Sequence, residues 1–259
     1  VRWFRGWWRL QRRRRRREVL MQPAVRQIVA PVLEGLDREL GTGFSAVLFG
    51  SGARGEFLEG VSDVNLLVVC DSLDVGSLRR LGSILMGLRH RRQPPPLLIE
   101  RGEWARAADS FPIEVTDMQV ARETLRGADP VAGMRVDPAE LRHSIERELR
   151  GKLLRLRQAY AVHAAEPRAL EDVATISVAS VAALFRVSLV LHGREAPADT
   201  VACLAAAGTV MRVDTAPVAR LWEWRRRREP TCPPELFEGY LAAVAAAVRV
   251  IDQFTRGGQ

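Results

Sequence analysis

The stretch Leu48–Val69, LFGSGARGEFLEGVSDVNLLVV, decides the fold. It begins inside a short apolar run, FSAVLF (Phe44–Phe49), with Gly41 and Gly43 before it and Gly50-Ser51 after it. An apolar run bounded by turn residues reads as a buried strand. The run DVNLLVVC, Asp63–Cys70, reads as a second strand, and a helix is expected to start just after Ser51. Glycine at position 50 lets the backbone come close to a ligand, and N–H groups at a helix start point at an anion placed there. Residues two apart on a strand share a face, so Asp63 and Asn65 are expected to project together toward whatever sits at the sheet's edge. Such a turn suits a phosphate group.

Upstream, Val25, Ile28, Val29, Val32, Leu33, Leu36 and Leu40 recur at spacings of three and four, which predicts an amphipathic helix kinked at Pro31. Downstream, Asp74 is a candidate cap for a helix whose apolar face is Val75, Leu78, Leu81, Ile84, Leu85 and Leu88, stopped by Pro94, Pro95 and Pro96. Two further strands are expected at Leu97–Glu100 and Pro112–Met118, with a short helix around Trp104 between them. Beyond Pro138 the period is helical throughout, beginning with Leu141, Ile145, Leu149, Leu153, Leu156 and Tyr160. Further helices are expected at about 168–191, 198–208, 216–227 and 234–254. The Gly- and Pro-containing stretch Gly127–Glu140 fits a linker. The reading is therefore α+β: a basic extension over residues 1–20, a mixed-sheet domain with flanking helices over 21–135, and an all-α helical bundle over 136–259.

At 259 residues, 47% hydrophobic and 27% charged, the chain has material for one large or two modest cores and is not a disordered composition. The net charge of +8 belongs to the tail, where nine arginines among residues 1–20 face the single Glu18. The remainder is neutral, so any nucleic-acid partner is expected only through that Arg-rich tail. No uninterrupted apolar run reaches the ~18 residues of a membrane span. Cys70, Cys203 and Cys232 lie far apart and form no CxxC pair, which fits a cytoplasmic protein without a disulfide framework or zinc knuckle.

Gly50-Ser51, then Ala53-Arg54-Gly55, then Ser62-Asp63 resemble the signature of the DNA polymerase β superfamily of nucleotidyltransferases. That signature is Gly-Ser, a spacer of about ten residues and Asp-x-Asp, with a third carboxylate on a later strand. The segment FPIEVTDM (Phe111–Met118) is similar to the third-carboxylate strand of the aminoglycoside nucleotidyltransferase branch, which also carries a helical bundle after its catalytic domain. The resemblance implies a nucleotidyltransferase fold and transfer of an NMP group from a nucleoside triphosphate, ATP first, to a hydroxyl acceptor. It implies two Mg²⁺ ions on Asp63, Asn65 and Glu114, with Glu114 as the base and Asp117 as its competitor for that role. It further implies that Gly50 and Ser51 hold the β and γ phosphates and that Arg54, if turned inward, neutralises part of their charge.

The sequence departs from the pattern at Asn65, where the family has a second Asp. Losing one negative charge ~4 Å from the ions forfeits up to ~4 kcal/mol at an effective dielectric near 20. At ~1.36 kcal/mol per decade this is roughly a thousandfold in rate if the second ion becomes weakly held. The rival reading is accordingly a catalytically weak or inactive nucleotide-binding relative with a regulatory role. Arg186 and His192 have the spacing seen in HEPN ribonucleases, but a helix end before Gly193 explains His192. Trp222, Trp224 and Arg225–Arg228 are expected to form a helix end with an exposed basic turn rather than a stacking platform.

Overall fold

A computed structural model of the chain describes residues 21–227 and 232–254; the Arg-rich extension and Arg228 lie outside the described residues. Helix α1 (Pro23–Leu40) buries Val25, Ile28, Val29, Val32, Leu33 and Leu36, the stripe expected from their spacing. Pro31 sits inside it on the exposed side and does not end it. Strand β1 (Phe44–Phe49) pairs antiparallel with β2 (Asn65–Cys70), from Phe44 opposite Cys70 to Phe49 opposite Asn65. Strand β3 (Leu97–Glu100) adds parallel to β2, and β4 (Arg122–Arg126) adds antiparallel to β1. The mixed sheet has the order β3-β2-β1-β4.

Alternation along the strands sorts the side chains to two faces. Phe44, Ala46, Leu48, Leu66, Val68 and Cys70 pack with α1 and with α3 (Val75–His90), whose N-cap Asp74 accepts the Ser77 N–H at 2.7 Å. Val47, Leu67 and Val69 pack on the opposite face against Trp104, Ala107, Val115, Met118 and Val131. Between the two strands Ser51–Arg54 forms α2, a single turn, and Arg101–Trp104 forms a second short helix, α4, after β3.

Two expectations about this half are corrected. Strand β2 starts at Asn65 rather than Asp63, because its partner β1 stops at Phe49 and the chain turns away at Gly50. Pro112–Met118 is not a strand: Pro112–Val120 is helix α5, with Pro112 in its first turn and Val115 and Met118 buried three residues apart. The fourth strand is β4, which follows directly, and Ala121 is the extended residue between the two.

The stretch after β4 is fastened. Arg122 grips Asp129 with Nε and Nη2, at 2.7 Å for the shortest contact, and the Trp104 indole donates to the Pro130 carbonyl at 2.9 Å. The Gln119 amide donates to the Met134 carbonyl at 2.8 Å. From Pro138 onward the described residues are helical: α6 (Pro138–His163), α7 (Pro167–Leu191), α8 (Thr200–Met211), α9 (Ala216–Arg227) and α10 (Pro234–Asp252). They share one apolar core, and Ile113 and Val120 from the first half pack against it. Helix α7 is the one described helix long and apolar enough, by composition, to cross a membrane. Here it is the spine of the bundle, with Leu170, Val178, Val181, Phe185 and Leu189 buried among its neighbours.

Candidate active site

The centre of the site is the corner where β1 leaves the sheet. Gly50 has φ +70° and ψ −148°, a backbone conformation that only glycine adopts without strain. A Cβ there would sit 2.6 Å from Nδ2 of Asn65, so the Asn65 amide lies directly on the Gly50 backbone. The α2 turn then closes through Arg54 N–H to Gly50 O at 3.1 Å and Glu56 N–H to Ser51 O at 2.9 Å, with Gly55 in the left-handed region. The first N–H groups of such a turn have no partner within it.

The chain returns through a loop pinned on itself, with the Leu58 N–H on Ser62 Oγ at 3.1 Å and the Ser62 N–H on Leu58 O at 2.8 Å. The Val64 N–H is held by Gln93 Oε1 at 2.7 Å. This loop delivers Asp63 with an exposed side chain, two residues ahead of half-buried Asn65. Gly50, Ser51, Asp63 and Asn65 are thus brought to one corner of the sheet.

Glu114 and Asp117 stand on α5, three residues apart on a helix rather than on a strand. Burial pushes the Glu114 carboxyl above its ordinary range, and the charges of Glu148 and Asp117 add to that while Arg147 opposes it. Its electrostatic neighbours are therefore on α5 and α6, whereas Asp63 acts on Arg225. Among the described residues no three Asp, Glu, His or Cys side chains converge as a metal-holding group.

Arg54 turns inward, but toward carboxylates. Its Nε donates to Glu56 Oε2 at 3.2 Å, its Nη1 lies 3.6 Å from Asp117 Oδ2, and only 7% of its side chain is exposed. Burial and the adjacent Arg186 lower its pKa from the ordinary guanidinium value, with Asp117 and Glu56 opposing. The expected phosphate ligand is therefore already engaged by protein anions.

Three residues enter from the helical half that the sequence did not single out for this role. Arg186 of α7 is fully buried and reaches Asp117 Oδ1 at 3.4 Å and Thr200 Oγ1 at 2.9 Å. Thr200 of α8 in turn donates its N–H to Glu56 Oε1 at 2.8 Å and its hydroxyl to Glu56 Oε2 at 2.7 Å. Arg225 of α9 is not a solvated basic turn: it is half-buried, donates to the carbonyl of Val61 and stacks over Trp222 with 5.9 Å to the ring centroid. Trp222 and Trp224 are both buried. A charged residue in an apolar helix, such as Arg186 in α7, was the available signal. His192 ends α7, its Nδ1 facing the Ser188 carbonyl at 2.8 Å, as a helix-end residue.

The family of nucleotidyltransferase domains matches residues 31–106, which include β1, the α2 turn, β2 and the Gly50-to-Asn65 corner. Among solved structures, spectinomycin adenyltransferase AAD(9) from Enterococcus faecialis, determined with ATP and spectinomycin, matches with a TM-score of 0.52 at 12% sequence identity. The match covers 88% of this chain and 99% of that one, so the likeness of fold extends through the helical half. No curated protein sequence matches the chain. Residues 31–106 are therefore similar to nucleotidyltransferase domains, and the fold of the chain, helical half included, is like that of AAD(9).

Proposed function

We propose that this protein binds a nucleoside triphosphate, ATP first, at the Gly50–Ser51 corner and transfers its NMP group to a hydroxyl acceptor held between the sheet and the helices. The observation that carries the reading is the Gly50 corner itself, a glycine-only backbone with Asn65 laid on it and the exposed Asp63 two residues ahead of Asn65. The ATP and spectinomycin present with the AAD(9) structure support a triphosphate and a hydroxyl-bearing acceptor as the substrate classes.

The donor set fits one Mg²⁺ held with the help of substrate phosphates. Asp63 supplies an exposed carboxylate and Asn65 a neutral amide oxygen, and Mg²⁺ commonly takes one or two carboxylates, phosphate oxygens and waters. It does not offer a protein-built pair of sites, because no group of three carboxylates converges among the described residues. A bound ion would supply neutralisation of the charge that develops on the bridging and leaving oxygens. The backbone of Gly50 and Ser51 would orient the β and γ phosphates. Glu114, whose raised carboxyl is poised closer to neutral pH than an ordinary one, would take the acceptor proton, with Asp117 committed to Arg54 and Arg186.

A second reading has its own observation. Asn65 and the engaged Arg54 both weaken the charge complement that transfer needs, and together they favour a protein that binds nucleotide and catalyses slowly or not at all. Label transfer from α-labelled ATP with Mg²⁺ or Mn²⁺ and a panel of hydroxyl acceptors separates the two. Transfer by the native chain that Asp63→Ala abolishes supports the enzyme. A silent native chain whose Asn65→Asp variant transfers label supports the binding protein.

A further inference from the structure

The contact between the two halves of the molecule contains a buried polar network with a specific reach. It starts at the α2 turn, where Arg54 and Glu56 face inward, and ends on α5, α7 and α8 at Asp117, Arg186 and Thr200. Side-chain exposure is 7% for Arg54, 8% for Glu56, 13% for Asp117 and 1% for Arg186. Two guanidinium cations and two carboxylates sum to zero charge. Even so, Arg54 Nη1 and Arg186 Nε are buried without a hydrogen-bond partner.

Such a cluster is a poor way to glue two surfaces, since apolar residues of the same volume commonly do as well or better once desolvation is counted. What a polar network adds is direction. Glu56 is the hub: one oxygen takes the Thr200 backbone N–H, where a carboxylate also complements the N-terminus of the twelve-residue helix α8, and the other takes the Thr200 hydroxyl and Arg54 Nε. The backbone N–H of that same Glu56 closes the α2 turn on Ser51 O. One residue therefore ties the start of α8 to the turn that carries Ser51. The Thr200 hydroxyl is the hinge of the arrangement, donating to Glu56 and accepting from Arg186.

We propose that Thr200 is a positioning residue, which acts through Glu56 to hold the Ser51–Arg54 turn in place, so that the helical half sets how well the Gly50–Ser51 corner grips a triphosphate. The ligand part of this inference rests on the nucleotide reading above; the fixing of the turn does not. The test uses the full chain as native protein, Thr200→Val, which keeps the shape and loses the hydroxyl, and Thr200→Ser, which restores it. Hydrogen exchange is followed by mass spectrometry at the amides of Arg54, Gly55 and Glu56, with the β1 amides as the reference for global opening, and MgATP affinity is measured by calorimetry.

In Thr200→Val the turn amides are expected to exchange at least tenfold faster relative to β1, MgATP affinity to fall severalfold, and Thr200→Ser to recover both. Turn amides that keep pace with β1 in all three proteins would overturn the inference, as would a loosened turn with native affinity. A native chain that binds no MgATP, while Thr200→Val still loosens the turn, refutes the nucleotide reading and upholds the fixing of the turn. Should Thr200→Val not fold, Glu56→Gln addresses the same hub from the other side, with the same two outcomes expected.

Discussion

Replacing Gly50 by alanine tests the geometry of the corner without touching any charge. The position has φ +70° and ψ −148°, and an added Cβ meets Asn65 Nδ2 at 2.6 Å. Backbone held in that glycine-only region costs a side-chain-bearing residue about 1–3 kcal/mol. Pushing Asn65 off its rotamer adds about 0.5–1.5 kcal/mol. The sum, roughly 1.5–4.5 kcal/mol, corresponds to a fall in Tm of several degrees or more for a chain of this size. Gly82 is the control: it lies inside α3, a Cβ there would meet nothing within 4 Å, and alanine in a helix interior gains about 0.5–1 kcal/mol. Two Gly→Ala changes in one protein are thus expected to shift Tm in opposite directions, by scanning calorimetry on the full chain. MgATP affinity is expected to fall only for Gly50→Ala. A Gly50→Ala protein that melts with the native one would refute the claim that this corner requires glycine.

Other perturbations read other parts of the site. Glu114, raised by burial and by Glu148 and Asp117, binds its proton more tightly folded than unfolded, so its contribution is favourable below the ordinary carboxyl range and lost as pH rises through the raised value. Native Tm and that of Glu114→Gln are therefore expected to diverge as pH rises from about 4 upward, in favour of Gln; a difference independent of pH contradicts this. All three cysteines are buried and free, burial raises the thiols of Cys70 and Cys203, and it pushes Cys232 up to about 11. A thiol reagent at pH 8 is expected to label them slowly in the folded protein and fully in denaturant, and rapid labelling without denaturant would refute their burial.

The Gly50-Ser51 corner and the elements around it were legible because their signals are local. Turn glycines framed the FSAVLF run, spacings of three and four marked α1 and α6, and Asp74 capped α3 as its position suggested. The strand expected at Pro112–Met118 is helix α5. Pro112 in a first turn and Val115 and Met118 three apart are helical signals, whereas RETLR, which forms β4, holds a single apolar residue, Leu125, and carries no strand pattern of its own. The stretch Gly127–Glu140 reads as a linker from its glycines and prolines, but Arg122, Trp104 and Gln119 hold its first part, at Asp129, Pro130 and Met134, from elements before it in the chain.

What the sequence by itself determined is most of the elements, α5 and β4 excepted, and the residues of the corner: a strand, a glycine turn, a serine, an aspartate and an asparagine in a fixed spacing, none of which depends on distant residues. What only the tertiary structure decided is which charges meet. Arg54 carries the same side chain whether it faces a phosphate or Glu56 and Asp117, and its partner is chosen by where α7 and α8 dock. Thr200 and Arg186 lie more than a hundred residues from Glu56 and Arg54, so no local pattern links them. Burial then makes those long-range pairings compulsory, because a guanidinium or carboxylate removed from water is costly unless it finds a partner.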